Sequence, residues 1–238
     1  MNVAGAVRAV RAELQSHASA ERAVAAKAYL KSDLKFLGSD LPTIRRAARA
    51  LAGRVQAEDD APLRSVVEAL WKPKVHELRA VAIAVLEQRQ LALGAGELPL
   101  IERMLRESHT WAYVDWICLK VLAPMLLREP KLRRQLPRWA RDDDFWLRRS
   151  ALLTLLPPVK HGAVPFSAFA ALAVPMLGER EFFIRKAIGW VLREVGKKNP
   201  AVVAGFLRAH RADVSGLTMR EGAKYLPMKE RKALLVVK

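Results

Sequence analysis

The sequence predicts an all-α fold, an α-solenoid of about six two-helix repeats. Three observations carry that expectation. Apolar residues recur at spacings of three and four throughout, and no stretch shows the period-two alternation of a strand. A short apolar-then-charged signature recurs along the chain, as set out below. Turn residues fall between the periodic stretches: Pro73, Gly94 and Gly96, Pro130, Pro157-Pro158, Gly178 and Pro200.

The signature appears as Ile44-Arg45-Arg46-Ala47-Ala48, Leu78-Arg79-Ala80-Val81-Ala82, Val114-Asp115-Trp116-Ile117-Cys118, Leu147-Arg148-Arg149-Ser150-Ala151, Ile184-Arg185-Lys186-Ala187-Ile188 and Met219-Arg220-Glu221-Gly222-Ala223. From first residue to first residue the steps are 34, 36, 33, 37 and 35. A period near 35 with two helices per unit suits short HEAT-like repeats. No tetratricopeptide consensus is present. Arginine fills the second place in every copy except the third, which has Asp115. With equivalent helices on one concave face, the arginines would build a basic groove.

Taken in order, Val7, Val10 and Leu14 begin an amphipathic helix, and a second spans about 20–30 with Tyr29 near its end. Phe36-Leu37-Gly38 is a turn. Asp40-Leu41-Pro42 starts the next helix, with proline near its first turn. Helices follow at roughly 60–71, 74–90, 97–107, 110–128, 130–140, 144–156, 164–177, 181–196, 199–210 and 216–226. The basic, apolar tail from Met228 forms a short helix or frays. Residues 1–238 are expected to form one HEAT-like-repeat domain.

Hydrophobic residues make up 52% of the chain, which predicts a packed core. Lys and Arg number 41 against 24 Asp and Glu, a formal charge of +17, so a polyanion is the expected partner. Nucleic acid comes first and an acidic membrane surface second. Cys118 is the only cysteine, which excludes an intramolecular disulfide and CxxC zinc sites and fits a cytoplasmic setting. The first residues lack the basic-then-apolar form of a signal peptide, and no apolar run approaches the roughly 20 residues of a membrane span. No phosphate loop, zinc-deaminase signature or nucleophile elbow is present, and the five histidines have no metal-ligand spacing. His109, the one nearest the central helix, is expected to cap it or lie at the surface.

The bland role of the repeat arginines is to hold register against acids of neighbouring repeats, with Asp60, Glu77, Asp144 and Glu181 as candidates. Asp115 has its own bland alternative, an ion pair with Arg148 or Arg149. Trp111 and Asp115 lie four apart and share one helix face, with Tyr113 and Trp116 on a neighbouring one. A carboxylate in a basic groove stays ionised beside cations yet repels phosphate. That cost makes sense if the reaction develops positive charge, as N-glycosidic cleavage does when deoxyribose becomes oxocarbenium-like.

The segments Tyr29 to Gly38 (YLKSDLKFLG), Trp111 to Asp115, Phe145 to Ala151 (FWLRRSA) and Glu181 to Glu194 (EFFIRKAIGWVLRE) bear a further likeness. The chain resembles the DNA alkylation-repair family of HEAT-like-repeat alkylpurine DNA glycosylases, the AlkD type, over nearly its whole length. The family's aspartate, with a tryptophan four residues before it, falls on Asp115 and Trp111. The W-L-x-R arginine falls on Arg149, the I-G-W tryptophan on Trp190, and the N-terminal aromatic on Tyr29. Thr110 stands where some relatives have a second tryptophan, and Tyr113 replaces a smaller polar residue.

The resemblance implies removal of N3- and N7-alkylated purines from double-stranded DNA, by a monomer without metal or cofactor. Asp115 would stabilise the sugar cation and position water. Trp111 and Trp190 would pack on the deoxyribose, Arg149 would grip a phosphate beside the lesion, and Tyr29 would touch the backbone. Arg45, Arg148, Arg185 and Lys186 would bind phosphates without reading sequence. Two alternatives remain: a non-catalytic HEAT-like module binding DNA or RNA by shape and charge, and a protein-binding scaffold.

Overall fold

The computed structural model describes residues 2–56 and 61–235. Sixteen α-helices are found among them: α1 Val3–Ser16, α2 Ala20–Leu30, α3 Leu41–Gln56, α4 Ala61–Trp71, α5 His76–Gln88, α6 Leu98–Arg106, α7 Trp111–Trp116, α8 Ala123–Arg128, α9 Leu136–Trp139, α10 Phe145–Thr154, α11 Leu156–Lys160, α12 Phe166–Ala173, α13 Phe182–Gly196, α14 Pro200–Ala209, α15 Gly216–Gly222 and α16 Met228–Leu235. The described residues contain no strand, only one isolated bridge between Lys35 and Val75. None of their helices is long and apolar enough to cross a membrane. The chain is all-α, as its periodicity requires. It divides into two compact units, Met1–Met125 and Leu126–Lys238.

The six signatures begin on α3, α5, α7, α10, α13 and α15, the second helix of each pair. Their first residues are all core: Leu78, Val114, Leu147 and Ile184 are 0% exposed, Ile44 4% and Met219 7%. Burying a Leu, Ile or Val side chain stabilises a fold by roughly 1.5–3 kcal/mol. The first place of the repeat is thus a packing position. In the N-terminal unit α3 and α4 pack on α5. In the C-terminal unit α13 is the central helix, packed by α10, α14 and α15.

Small polar side chains open the helices as their types suggest. Asn2, Ser19, Thr110, Ser215 and Asn199 accept backbone N–H bonds at the starts of α1, α2, α7, α15 and α14. Asp40 accepts from Thr43 N at 2.9 Å at the start of α3. Hydrogen bonds from the Thr43 hydroxyl, and then from this N–H, lower its carboxyl pKa. Gly38, at φ 85°, sits so close to α2 that a Cβ would lie 1.9 Å from the Ser19 carbonyl oxygen. Glu77 ties this turn to α5, accepting from Leu37 N at 2.9 Å and Gly38 N at 2.7 Å. Gly189 serves a different end: a Cβ there would meet Glu221 Cβ at 2.7 Å, so glycine lets α15 approach α13.

Four expectations change in detail. The helix expected over 110–128 is continuous in position, but Ile117–Leu122 forms a π-helical segment between α7 and α8. The one expected at 130–140 is a 3₁₀ stretch, Pro130–Gln135, followed by only four α residues, because Pro130 and Pro137 cannot donate to an α ladder. Pro157 and Pro158 break α10 and then occupy the first turn of α11, where missing N–H groups cost nothing. Finally, among the described residues Glu77 and Glu181 are not ion-pair partners of repeat arginines. Asp144 and Glu181 cap α10 and α13, at 2.8 Å to Trp146 N and 3.1 Å to Phe183 N. Asp60 lies outside the described residues.

Candidate functional site

Helix α7 begins where Thr110, in extended backbone, accepts from Ala112 N at 3.4 Å. His109 precedes it in left-handed backbone, φ 48°, and is exposed; Thr110 does the capping. Trp111 is the first helical residue and is half-buried. Asp115, one turn later, is 9% exposed. The π-helical segment begins two residues after it, and such wide turns are often found at functional sites.

Tyr29 comes to Trp111 from α2. The two rings meet edge to face with centroids 5.6 Å apart, and Tyr29 is 71% exposed. The structure thus brings together two of the expected site residues from distant parts of the chain and places Asp115 one turn along the same helix. Arg45, on α3, stands with its guanidinium 5.6 Å from the Trp116 ring centroid. It has no acid partner among the described residues. Trp116 is in turn held by Glu87, which accepts its indole N–H at 2.6 Å.

Tyr113 holds α7 in place. It is 1% exposed, with its ring 5.7 Å from Trp71 and 5.2 Å from His76, whose other face stacks on Phe36 at 4.5 Å. The hydroxyl donates to the His76 carbonyl at 2.8 Å and lies 2.7 Å from His76 Nδ1, which then carries the proton between them. Burial pushes the Tyr113 hydroxyl pKa well up and the His76 pKa down, the latter partly offset by Glu77. Both groups are neutral props of the helix.

In the C-terminal unit the expected cations have varied surroundings. Arg148 Nε and Nη2 each donate to Glu179 at 3.1 Å, while Nη1 donates to the Asp142 and Asp143 carbonyls. Arg149 is 3% exposed and donates to the Phe183 carbonyl at 2.6 Å, with its guanidinium 5.7 Å from the Phe183 ring centroid. Lys186 pairs with Glu221 at 2.7 Å. Arg185 has no acid partner among the described residues, and its buried Nε–H has no acceptor. Trp190 is half-buried on α13.

The idea of one uniform arginine column needs correction. Arg79 is 2% exposed; its Nε donates to the Trp71 carbonyl at 3.0 Å and its Nη1 to the Glu107 carbonyl at 2.6 Å. Burial lowers its pKa. It braces two turns. Acids that hold cations across repeats include Glu13 with Arg46, Glu68 with Arg103, Glu179 with Arg148, Glu194 with Lys160 and Glu221 with Lys186. Among the described residues no group of three or more His, Cys, Asp or Glu is placed to hold a metal.

A family model described as DNA alkylation repair enzyme matches residues 10–226. The chain belongs to that family. Its structure is similar to a predicted DNA alkylation repair enzyme from Enterococcus faecalis, with TM-score 0.81 and 25% identity over 89% of this chain and 98% of that one. It also resembles AlkD2 from Streptococcus mutans, with TM-score 0.63 and 14% identity over 87% and 99% of the two chains. The smu.31 protein of Streptococcus mutans UA159 gives 0.61 and 14% over 79% and 93%. At 14% identity the last two speak to the fold alone. A search of curated proteins finds no match.

Membership of a DNA alkylation repair family makes DNA the substrate and gives the chain a repair role, in keeping with its charge of +17. Two residues at this site carry no sequence signal that would have found them. Glu87 is an ordinary helical acid until its contact with Trp116 is seen. His76, read only as a scattered histidine, is the prop on which Tyr113 rests.

Proposed function

We propose that this protein is a monofunctional DNA glycosylase that excises N3- and N7-alkylated purines from duplex DNA. The observation that carries the proposal is Asp115 at 9% exposure, one helical turn from Trp111, which is itself faced by the exposed ring of Tyr29. An aromatic wall beside a carboxylate suits a deoxyribose that becomes cationic.

In this reading the C1′–N bond of an already cationic purine breaks, and the base leaves neutral with the bonding electrons. Asp115 stabilises the oxocarbenium-like sugar and orients a water. The water oxygen bonds to C1′ and its proton is released. Trp111 and Tyr29 pack against sugar and backbone, and Trp190 is assigned to the same sugar contact. Arg45 and Arg185, cations without acid partners among the described residues, take phosphates. Arg148, Lys186 and Arg149 are assigned to the backbone as well. The burial of Arg149 and the ion pairs of the other two make them the parts of the reading easiest to break. The protein acts as a monomer in the cytoplasm, needs no cofactor, and forms one domain over residues 1–238, for which a single unfolding transition is expected.

The test is release of 7-methylguanine from a duplex carrying that lesion. Free base liberated by the wild type and not by Asp115→Asn supports the proposal. Duplex binding with no base release leaves the alternative, a module that binds DNA by shape and charge.

A further inference from the structure

Apart from the α7 site, the N-terminal unit contains a cleft of about 450 Å³, with Trp71 at its floor and Lys72, Lys74, Arg103 and His109 around it. It lies between two turns, one joining α4 to α5 and the other α6 to α7. Each turn holds a non-glycine residue in left-handed backbone, Lys74 at φ 52° and His109 at φ 48°. L-residues avoid that region because Cβ crowds the following carbonyl, and such strain clusters where side chains serve a ligand.

The charges in the cleft are unequal. Lys72, Lys74, Arg79 and Arg103 meet only two carboxylates, Glu68 and Glu107. Glu68 accepts from Arg103 at 2.8 Å and Arg64 at 3.4 Å. Glu107 accepts the Trp71 indole N–H at 2.7 Å and lies 4.0 Å from Arg79. Both carboxylates are thus engaged. Lys72, Lys74 and His109 are exposed and have no acid partner among the described residues. Two ammonium groups and an imidazole, open to solvent beside occupied acids, attract an anion with several acceptor oxygens.

We propose that this cleft is a second anion subsite, taking a backbone phosphodiester of duplex DNA apart from the sugar contact at Trp111; the proposal rests on the glycosylase reading above. His109 and Trp111 both lie at the start of α7, two residues apart, so a duplex that contacts Trp111 has a phosphate backbone near the cleft. The subsite fixes the position of the duplex and reads no base, as phosphate contacts do.

The experiment compares the salt dependence of binding to an undamaged synthetic duplex for the wild type and a Lys72→Gln/Lys74→Asn variant. Asparagine suits position 74 because it tolerates left-handed backbone. A Lys229→Gln/Lys232→Gln variant on α16 removes the same charge elsewhere. The slope of log affinity against log salt should be shallower by about 0.9 in the cleft variant, one phosphate contact, and nearly unchanged in the α16 variant. An unchanged slope in the cleft variant, or an equal loss in both variants, overturns the subsite.

Amine-reactive labelling of the wild type gives a readout that needs no substitution. Bound duplex should shield Lys72 and Lys74, and undiminished labelling overturns the proposal. Inorganic phosphate that shifts the His109 ring resonances while duplex leaves them unmoved would assign the cleft to a free anion and overturn the DNA assignment. A wild type that shows no salt-dependent duplex binding sinks the glycosylase reading and the subsite together. One that binds and excises, beside a cleft variant with the wild-type slope, sinks only the subsite.

Discussion

Arg79 and Asp115 occupy the same place in successive copies of the repeat signature, and their side chains are opposite in charge. Arg79 faces backbone carbonyls, of Trp71 and Glu107, with the Trp71 ring centroid 4.5 Å from its guanidinium. Its five N–H donors suit that role. An ionised aspartate has acceptors only, so the α7 copy cannot be braced in this way. Instead Tyr113, two residues earlier, donates to the His76 carbonyl and ties α7 back to α5. In this copy Tyr113 ties the helix back, and the second place holds a carboxylate where the other five copies hold arginine. That exchange is the physical reason to look for chemistry at Asp115.

The largest expected effect on stability lies on the Arg79 side of the comparison. Arg79→Met leaves two carbonyls unpaired and should destabilise the fold by about 2–4 kcal/mol, each buried unmet group costing roughly 1–3. A denaturant titration measures it. A loss below about 0.5 kcal/mol would mean that the brace is dispensable, and the contrast with Asp115 would lose its force. Next comes Tyr113→Phe, which leaves the buried His76 Nδ1–H without its acceptor and should cost about 1–3 kcal/mol. Base release by the folded fraction should persist. If excision is abolished with the stability intact, Tyr113 belongs to the chemistry and the division of labour drawn here is wrong.

The smallest effect is expected at Arg45. Arg45→Ala should leave the melting temperature nearly unchanged, as for most surface substitutions. It should lower the salt slope of duplex binding by about 0.9, one phosphate contact. An unchanged slope would remove Arg45 from the DNA-binding set.

Much of the fold was legible because the repeat is a packing rule. The first residue of each signature had to be buried, and all six are. The caps at Asn2, Ser19 and Asp40 follow from side chains that accept backbone N–H bonds. The π-helical segment Ile117–Leu122 was not legible, because a run of apolar residues reads alike in any buried helix. Nor was the fate of each arginine. Leu78-Arg79 and Leu147-Arg148 are the same dipeptide, yet one arginine is sealed against carbonyls while the other pairs with Glu179. Which acceptor stands opposite is decided by turns 28 or more residues away. At the site, Trp111 and Asp115 could be paired by helical spacing alone. The approach of Tyr29 to Trp111 rests on tertiary packing of α2 and entered the sequence reading only through family likeness.

The central claim is that Asp115 acts on the reaction, and one variant tests it directly. Asp115→Asn keeps the size and hydrogen-bonding reach of the side chain and removes its charge. Single-turnover release of 7-methylguanine should slow by about 10- to 1000-fold, the range expected for one well-placed electrostatic group acting on a base that already departs readily. Duplex affinity should hold or rise, since a charge that repels phosphate is gone, and the melting temperature should stay close to that of the wild type. A lowered melting temperature with an unchanged release rate in the folded fraction would contradict the claim and make Asp115 a structural residue.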